Sequence, residues 1–176
     1  IRDSLERSAK ALVERTGVDP STVVWFAADL AKQDEVESLA KNAVSMMDGV
    51  VDIVVNNAAT EITGNATDID ASIIENVVSS NLIAPQTLTR HLLPAMLKRG
   101  RGTFVYFSSI LGLGPAPHCA TYTSTKTGMR AYVHSMRYEF MDSPVQFTCV
   151  SPTHVKGPHG QGARLECASQ QQSPDY

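Results

Sequence analysis

The chain has 176 residues, 43% hydrophobic and 19% charged, with a formal net charge of -3. This length suits one domain with a sizeable core, and this balance excludes a disordered chain. The charge gives no polycationic surface for nucleic acid, and no apolar run approaches the roughly 20 residues that span a bilayer. No secretory signal is visible. Because the chain starts at Ile1 rather than Met, location stays open between the cytoplasm and, if a leader has been lost, the endoplasmic reticulum membrane. Cys119, Cys149 and Cys167 lack C-x-x-C spacing and read as reduced thiols, so neither a disulfide framework nor a metal site is expected.

In chain order, residues 1–16 read as a helix, with Leu5, Ala9, Leu12 and Val13 at three-to-four spacing and Gly17 as its stop. Residues 23–28 are an apolar run of strand length. Residues 33–48 return to helical period through Val36, Leu39, Ala40, Ala43 and Met47. Residues 51–55 form a second strand, apolar enough to be buried on both faces. A loop covers 60–69, and a long helical tract follows over 70–98, with a break expected near Pro85. Residues 103–107 are a third strand, 109–120 a Gly/Pro-rich loop and 121–141 a helix with Met129, Tyr132, Val133, Met136 and Phe140 on one face. Residues 145–150 are a fourth strand. Residues 156–176 read as an irregular, poorly ordered tail.

Strands alternating with helices predict an α/β domain over 1–155, with a mostly parallel sheet and helices on both faces. Ligands of such sheets bind beyond the carboxyl ends of the strands. Those ends carry Asp29, then Asn56-Asn57-Ala58-Ala59, then Ser108-Ser109, then Ser151 to Val155.

The sharpest local signal is Tyr122-x-x-x-Lys126. Positions i and i+4 share a helix face, so a phenol and an ammonium project together. At about 5 Å and an effective dielectric of about 20 their attraction is roughly 3 kcal/mol, which lowers a tyrosine by about two pKa units. Ser109, at the end of a buried strand, can donate to a substrate carbonyl beside that phenol. Asn81 lies mid-helix, where asparagine is a poor helix former.

Taken together, Asp29-Leu30, Asp52 to Ala59, Asn81, Ser108-Ser109, Tyr122-x-x-x-Lys126 and Pro152-x-x-Val155 resemble a classical short-chain dehydrogenase/reductase, over most of the chain. Ser109 to Gly112 and Arg137-Tyr138-Glu139 resemble the branch holding the 11β-hydroxysteroid-dehydrogenase-like and dehydrogenase/reductase-member-7-like enzymes. The resemblance implies a Rossmann-like three-layer fold, truncated at both ends, and hydride transfer between NAD(P)(H) and a ketone or secondary alcohol. It implies Tyr122 as general acid/base, Lys126 as the group that lowers its pKa and bonds the nicotinamide ribose, and Ser109 as the carbonyl-orienting hydroxyl. Asn81 is implied to hold a water linking Lys126 to solvent. Asp29 is implied at the adenine, Asn57 and Ala58 along the cofactor cleft, and Val155 at the nicotinamide carboxamide. Homo-oligomers through the helices near 70–98 and 121–141 are also implied.

Departures accompany the matches. The family's glycine-rich turn T-G-x-x-x-G-x-G does not occur, Ala59 stands where the family has Gly, and Thr153 follows Pro152. Without the strands that precede Arg2 in the family, an apolar sheet face and an unpaired edge are expected to be open. Arg2, just after where a family strand would end, favours NADP over NAD. Two functions stand: the oxidoreductase, and a catalytically silent truncated form acting through protein contacts. A flavodoxin-like or methyltransferase-like domain would share the sheet but leaves Ser109, Tyr122 and Lys126 unexplained. The substrate surface is expected from Glu61 and from Leu111 to Cys119.

Overall fold

A computed structural model describes residues 2–153 and residue 155. The tail expected over 156–176, with Cys167, lies outside the described residues. Helix α1 (Arg2–Thr16) is followed by a 3-10 turn (Pro20–Thr22), α2 (Gln33–Met46) and strand β1 (Ile53–Asn56). Next come α3 (Ala71–Val78), a π-helical turn (Ser79–Ile83), α4 (Ala84–Arg99) and β2 (Gly102–Phe107). A 3-10 turn (Ile110–Gly112), α5 (Ala120–Glu139) and β3 (Val145–Val150) complete the order.

The three strands lie parallel in the order β1-β2-β3. Val54 pairs with Phe104, and Phe104 with Phe147, so one face carries Phe104, Tyr106 and Phe147 together. Phe104 stacks on Phe147 at 5.5 Å between ring centroids. Leu92, Leu93 and Met96 of α4, Met129 and Val133 of α5 and Ala40 of α2 close over that face as one buried cluster. The Tyr106 hydroxyl, deep in this layer, is satisfied by Thr89 at 2.6 Å. At the amino end of the sheet, Arg99 ties α4 to β1 by donating to the Val51 carbonyl and the Asp52 carboxylate. Gly100 ends α4 in the left-handed region at φ 74°, with its N–H on Leu97 and Met96 carbonyls.

The structure corrects two expectations. Residues 23–28 form no ladder, because a strand needs a hydrogen-bonding neighbour and none is present among the described residues. Val24, Trp25 and Phe26 instead line an apolar hollow of about 130 Å³ against Leu39, Ala43 and Met46 of α2. Residues 51–55, expected to be buried on both faces, are open on one: Ile53 and Val55 remain 64% and 57% exposed. This is the open apolar face expected from the motif departures. The break expected near Pro85 is present, as the π-helical turn Ser79–Ile83. Pro85 has no N–H for the carbonyl four residues back, at Asn81, and its ring crowds that carbonyl. The ladder widens there into the π turn, closed by Ala84 N–H on the Ser79 carbonyl.

Candidate active site

Strand β2 ends under the first turns of α5, and three contacts fasten the two together. The Lys126 ammonium donates to the Phe107 carbonyl at 2.8 Å. The buried Ser108 hydroxyl donates to the Lys126 carbonyl at 2.8 Å. Gly112 packs so closely here that a Cβ would lie 2.6 Å from Ser108 Oγ and 2.9 Å from the Lys126 carbonyl oxygen. Only a residue without a side chain leaves room for this contact.

Ser109 adopts extended backbone and accepts the Leu111 N–H at 3.2 Å, capping the 3-10 turn that bends over the site. The Ile110 N–H reaches the Pro152 carbonyl, joining the loops after β2 and β3. Tyr122 is half-buried at the start of α5, where hydrogen bonding from Ser109 acts on its phenol to lower its pKa. The Lys126 ammonium lies over the Tyr122 ring, 5.5 Å from its centroid.

Asn81, only 3% exposed, reaches this cluster from the π turn. Its Oδ1 accepts the Thr60 N–H and its Nδ2 donates to the Thr60 carbonyl, both at 2.8 Å. Nδ2 also donates to Thr125 Oγ1 at 3.3 Å, one residue from Lys126. The Asn81 side chain is thus spent on protein partners: it clamps the loop after β1 to α5.

The electrostatics differ from the expected pairing. Burial pushes the Tyr122 phenol above its usual value; hydrogen bonding from Ser109 opposes this, and the charges of Glu61 and Cys119 add to it. The expectation of a lowered Tyr122 fails because the phenol is desolvated and the ammonium is anchored on the Phe107 carbonyl, over the ring face. Lys126 bears the larger perturbation: burial brings it down to about 8.

The remaining residues sit around this centre. Asp29 holds its own turn, accepting the Ala31 N–H and pairing with Lys32 at 3.7 Å. It borders a hollow of about 270 Å³ with Thr60, with Ile73 and Asn76 of α3 and with Ser80 of the π turn. Asn57 and Ala58 are exposed just past β1, and Val155 is 64% exposed. The neighbouring Asn56 Nδ2 is buried without a partner. A mainly apolar hollow bordered by Asp29 and Thr60, an unpartnered Asn56 amide and the buried Lys126 amine fit a bound dinucleotide. Sequence reasoning missed Thr60 and Thr125 as parts of the site; both meet Asn81, which lies far along the chain from each.

The parallel Rossmann-like sheet carries Ser109, Tyr122 and Lys126 beyond the carboxyl ends of its strands. Residues 1–167 match the family described as short chain dehydrogenase, and the chain belongs to that family. Dehydrogenase/reductase SDR family member 7B of Rattus norvegicus is 35% identical over 156 residues, covering 86% of this chain and 47% of the rat protein. The chain spans less than half the length of this and the other curated relatives it matches. A metagenomic short-chain oxidoreductase solved in complex with NADP is 29% identical, with a TM-score of 0.69, over 74% of this chain and 58% of that one. An alcohol dehydrogenase from the archaeon Thermococcus sibiricus, complexed with 5-hydroxy-NADP, is 26% identical, with a TM-score of 0.78, over 92% of this chain and 66% of that one.

Proposed function

We propose that the chain carries the acid/base centre of an oxidoreductase that interconverts a ketone and a secondary alcohol, with Tyr122 exchanging the proton on the substrate oxygen. The observation that carries this reading is the meeting of Ser109, Tyr122 and Lys126 at the junction of β2 and α5. Bound NAD(P)H supplies the hydride. Ser109 orients the carbonyl oxygen, and Tyr122 gives it a proton. The upward shift of Tyr122 keeps the phenol protonated near neutral pH, the form needed for carbonyl reduction. The Lys126 cation would stabilise the phenolate as it forms and would bond the nicotinamide ribose.

The Asp29 hollow and the turn at Asn57 and Ala58 would hold the adenine side, and Val155 the carboxamide. Two structural neighbours are complexed with NADP or 5-hydroxy-NADP, and Arg2 is a cation suited to a ribose 2′-phosphate; both support NADP. If a water links Lys126 to solvent, the group to hold it is the Asn81 carbonyl, which Pro85 leaves without its usual donor. Exposed Ile83 and Leu97 in the α3–α4 tract and Tyr138 on α5 support pairing of two copies through these helices.

Turnover of a ketone panel with NADPH by the protein and its Tyr122→Phe variant tests the reading: activity should be lost, and a fully active variant would end the assignment. A non-catalytic role through protein contacts is favoured by the open face at Ile53 and Val55. Calorimetric titration with NADPH separates the two, since saturable micromolar binding belongs to the oxidoreductase alone.

A further inference from the structure

Residues 60–64 are held over the amino end of α5 at three points. Asn81 clamps both backbone groups of Thr60 at 2.8 Å. Ile62 is buried at 3% exposure. The Gly64 N–H donates to the His118 carbonyl at 2.9 Å. His118 itself sits at φ 61°, a left-handed conformation that costs a non-glycine residue energy and is kept where surrounding contacts enforce it. The next residue, Cys119, accepts the Thr123 N–H at 2.8 Å and starts the helix that carries Tyr122.

Glu61 stands between the first two of these anchors, so its position relative to Tyr122 is fixed by the fold although its side chain is exposed. Among the described residues no lysine, arginine or histidine lies within ion-pair distance of its carboxylate. Its charge is felt at the site, where it adds to the upward shifts of both Tyr122 and Cys119. Among the described residues this carboxylate thus has no cationic partner, and the segment that carries it is held over the start of the helix that carries Tyr122. Tyr122 chemistry does not need the carboxylate, and an anion near a forming phenolate works against the proton transfer.

We propose that Glu61 is a specificity residue: it selects carbonyl or alcohol substrates that carry a cationic amine near the reacting carbon and disfavours anionic ones. This rests on the reading of Tyr122 as the proton-exchanging group. A substrate ammonium placed against Glu61 offsets the carboxylate as the phenolate develops. A carboxylated substrate meets like charge and loses binding.

The test uses three aryl ketones matched in shape, bearing a trimethylammonium, a neutral tert-butyl or a carboxylate group, with NADPH as reductant. For the unaltered protein kcat/KM should fall in that order, by about tenfold or more between the extremes. In Glu61→Gln the spread should shrink to about threefold, and Glu61→Lys should reverse the order. The same order and spread in all three proteins would overturn the proposal. A second measurement does not need turnover: the alkylation rate of Cys119 by neutral iodoacetamide relative to anionic iodoacetate, followed on its peptide. Glu61→Gln should lower that ratio about threefold or more. If no ketone is turned over by the unaltered protein but the ratio falls, the oxidoreductase reading fails while Glu61 keeps control of charge at the site. An unchanged ratio overturns the proposal regardless of activity.

Discussion

The Ser108 hydroxyl donates to the Lys126 carbonyl at 2.8 Å, while the Lys126 ammonium donates to the Phe107 carbonyl at the same distance. One residue of α5 is therefore bound twice to the end of β2, by its backbone and by its side chain. This double attachment fixes where the following turns of β2 and the preceding turn of α5, with Ser109 and Tyr122, face each other.

Gly112 is the tightest point of that joint. In Gly112→Ala the added Cβ meets Ser108 Oγ at 2.6 Å and the Lys126 carbonyl carbon at 3.0 Å, and backbone must shift. The expected cost is about 1–3 kcal/mol by denaturant melts, with activity falling more steeply than stability. Ser108→Ala removes one hydrogen bond and should cost about 1 kcal/mol. An alanine at 112 with unaltered midpoint and activity would show the joint to be loose.

Asn81 should behave as a structural clamp with a functional consequence. Asn81→Ala leaves Thr60 N–H and carbonyl unpaired and frees Thr125 Oγ1 from its contact. A loss of about 2–3 kcal/mol is expected, together with faster amide exchange at Thr60. Retained protection of the Thr60 amide would contradict the clamp.

Lys126 weakens the fold to serve the site. Its folded pKa, about 8, lies below the 10.5 of an unfolded lysine. Between those values the unfolded chain binds more protons than the folded one, so stability rises as pH climbs from about 8 to 10.5; below 8 the penalty is fully present. Integrated, it amounts to about 3 kcal/mol. Lys126→Met removes the penalty but leaves the Phe107 carbonyl unpaired, which returns roughly 1–3 kcal/mol. Urea melts should show a variant at least as stable as the parent at pH 7 and without the alkaline rise, yet inactive. A variant strongly destabilised at pH 7 would place the charge in the stabilising column instead.

Much of the scaffold was readable from residue spacing. The apolar stripe of 121–141 and the β-rich run at 145–150 located α5 and β3 within two residues. Residues 23–28 show where that reading stops: Val24, Trp25 and Phe26 have strand composition, but composition cannot provide a hydrogen-bonding neighbour. Similarly, Tyr122 and Lys126 were placed on one helix face by i,i+4 geometry alone, and they share it. The sign of the Tyr122 shift was not legible, because it depends on burial by distant segments and on the Phe107 carbonyl that anchors Lys126. Asn81 stood out as a misplaced helix residue, but its partners Thr60 and Thr125, 21 and 44 residues away, leave no local trace.

The central claim, that Tyr122 delivers the proton with Lys126 charged beside it, is tested most directly by the pH dependence of kcat/KM for NADPH-driven ketone reduction. Since Lys126 titrates at about 8, kcat/KM should be level below that pH and fall above it, and Tyr122→Phe should lose about a hundredfold or more at pH 7. A profile that stays level to pH 10, or a phenylalanine variant as fast as the parent, would contradict the account.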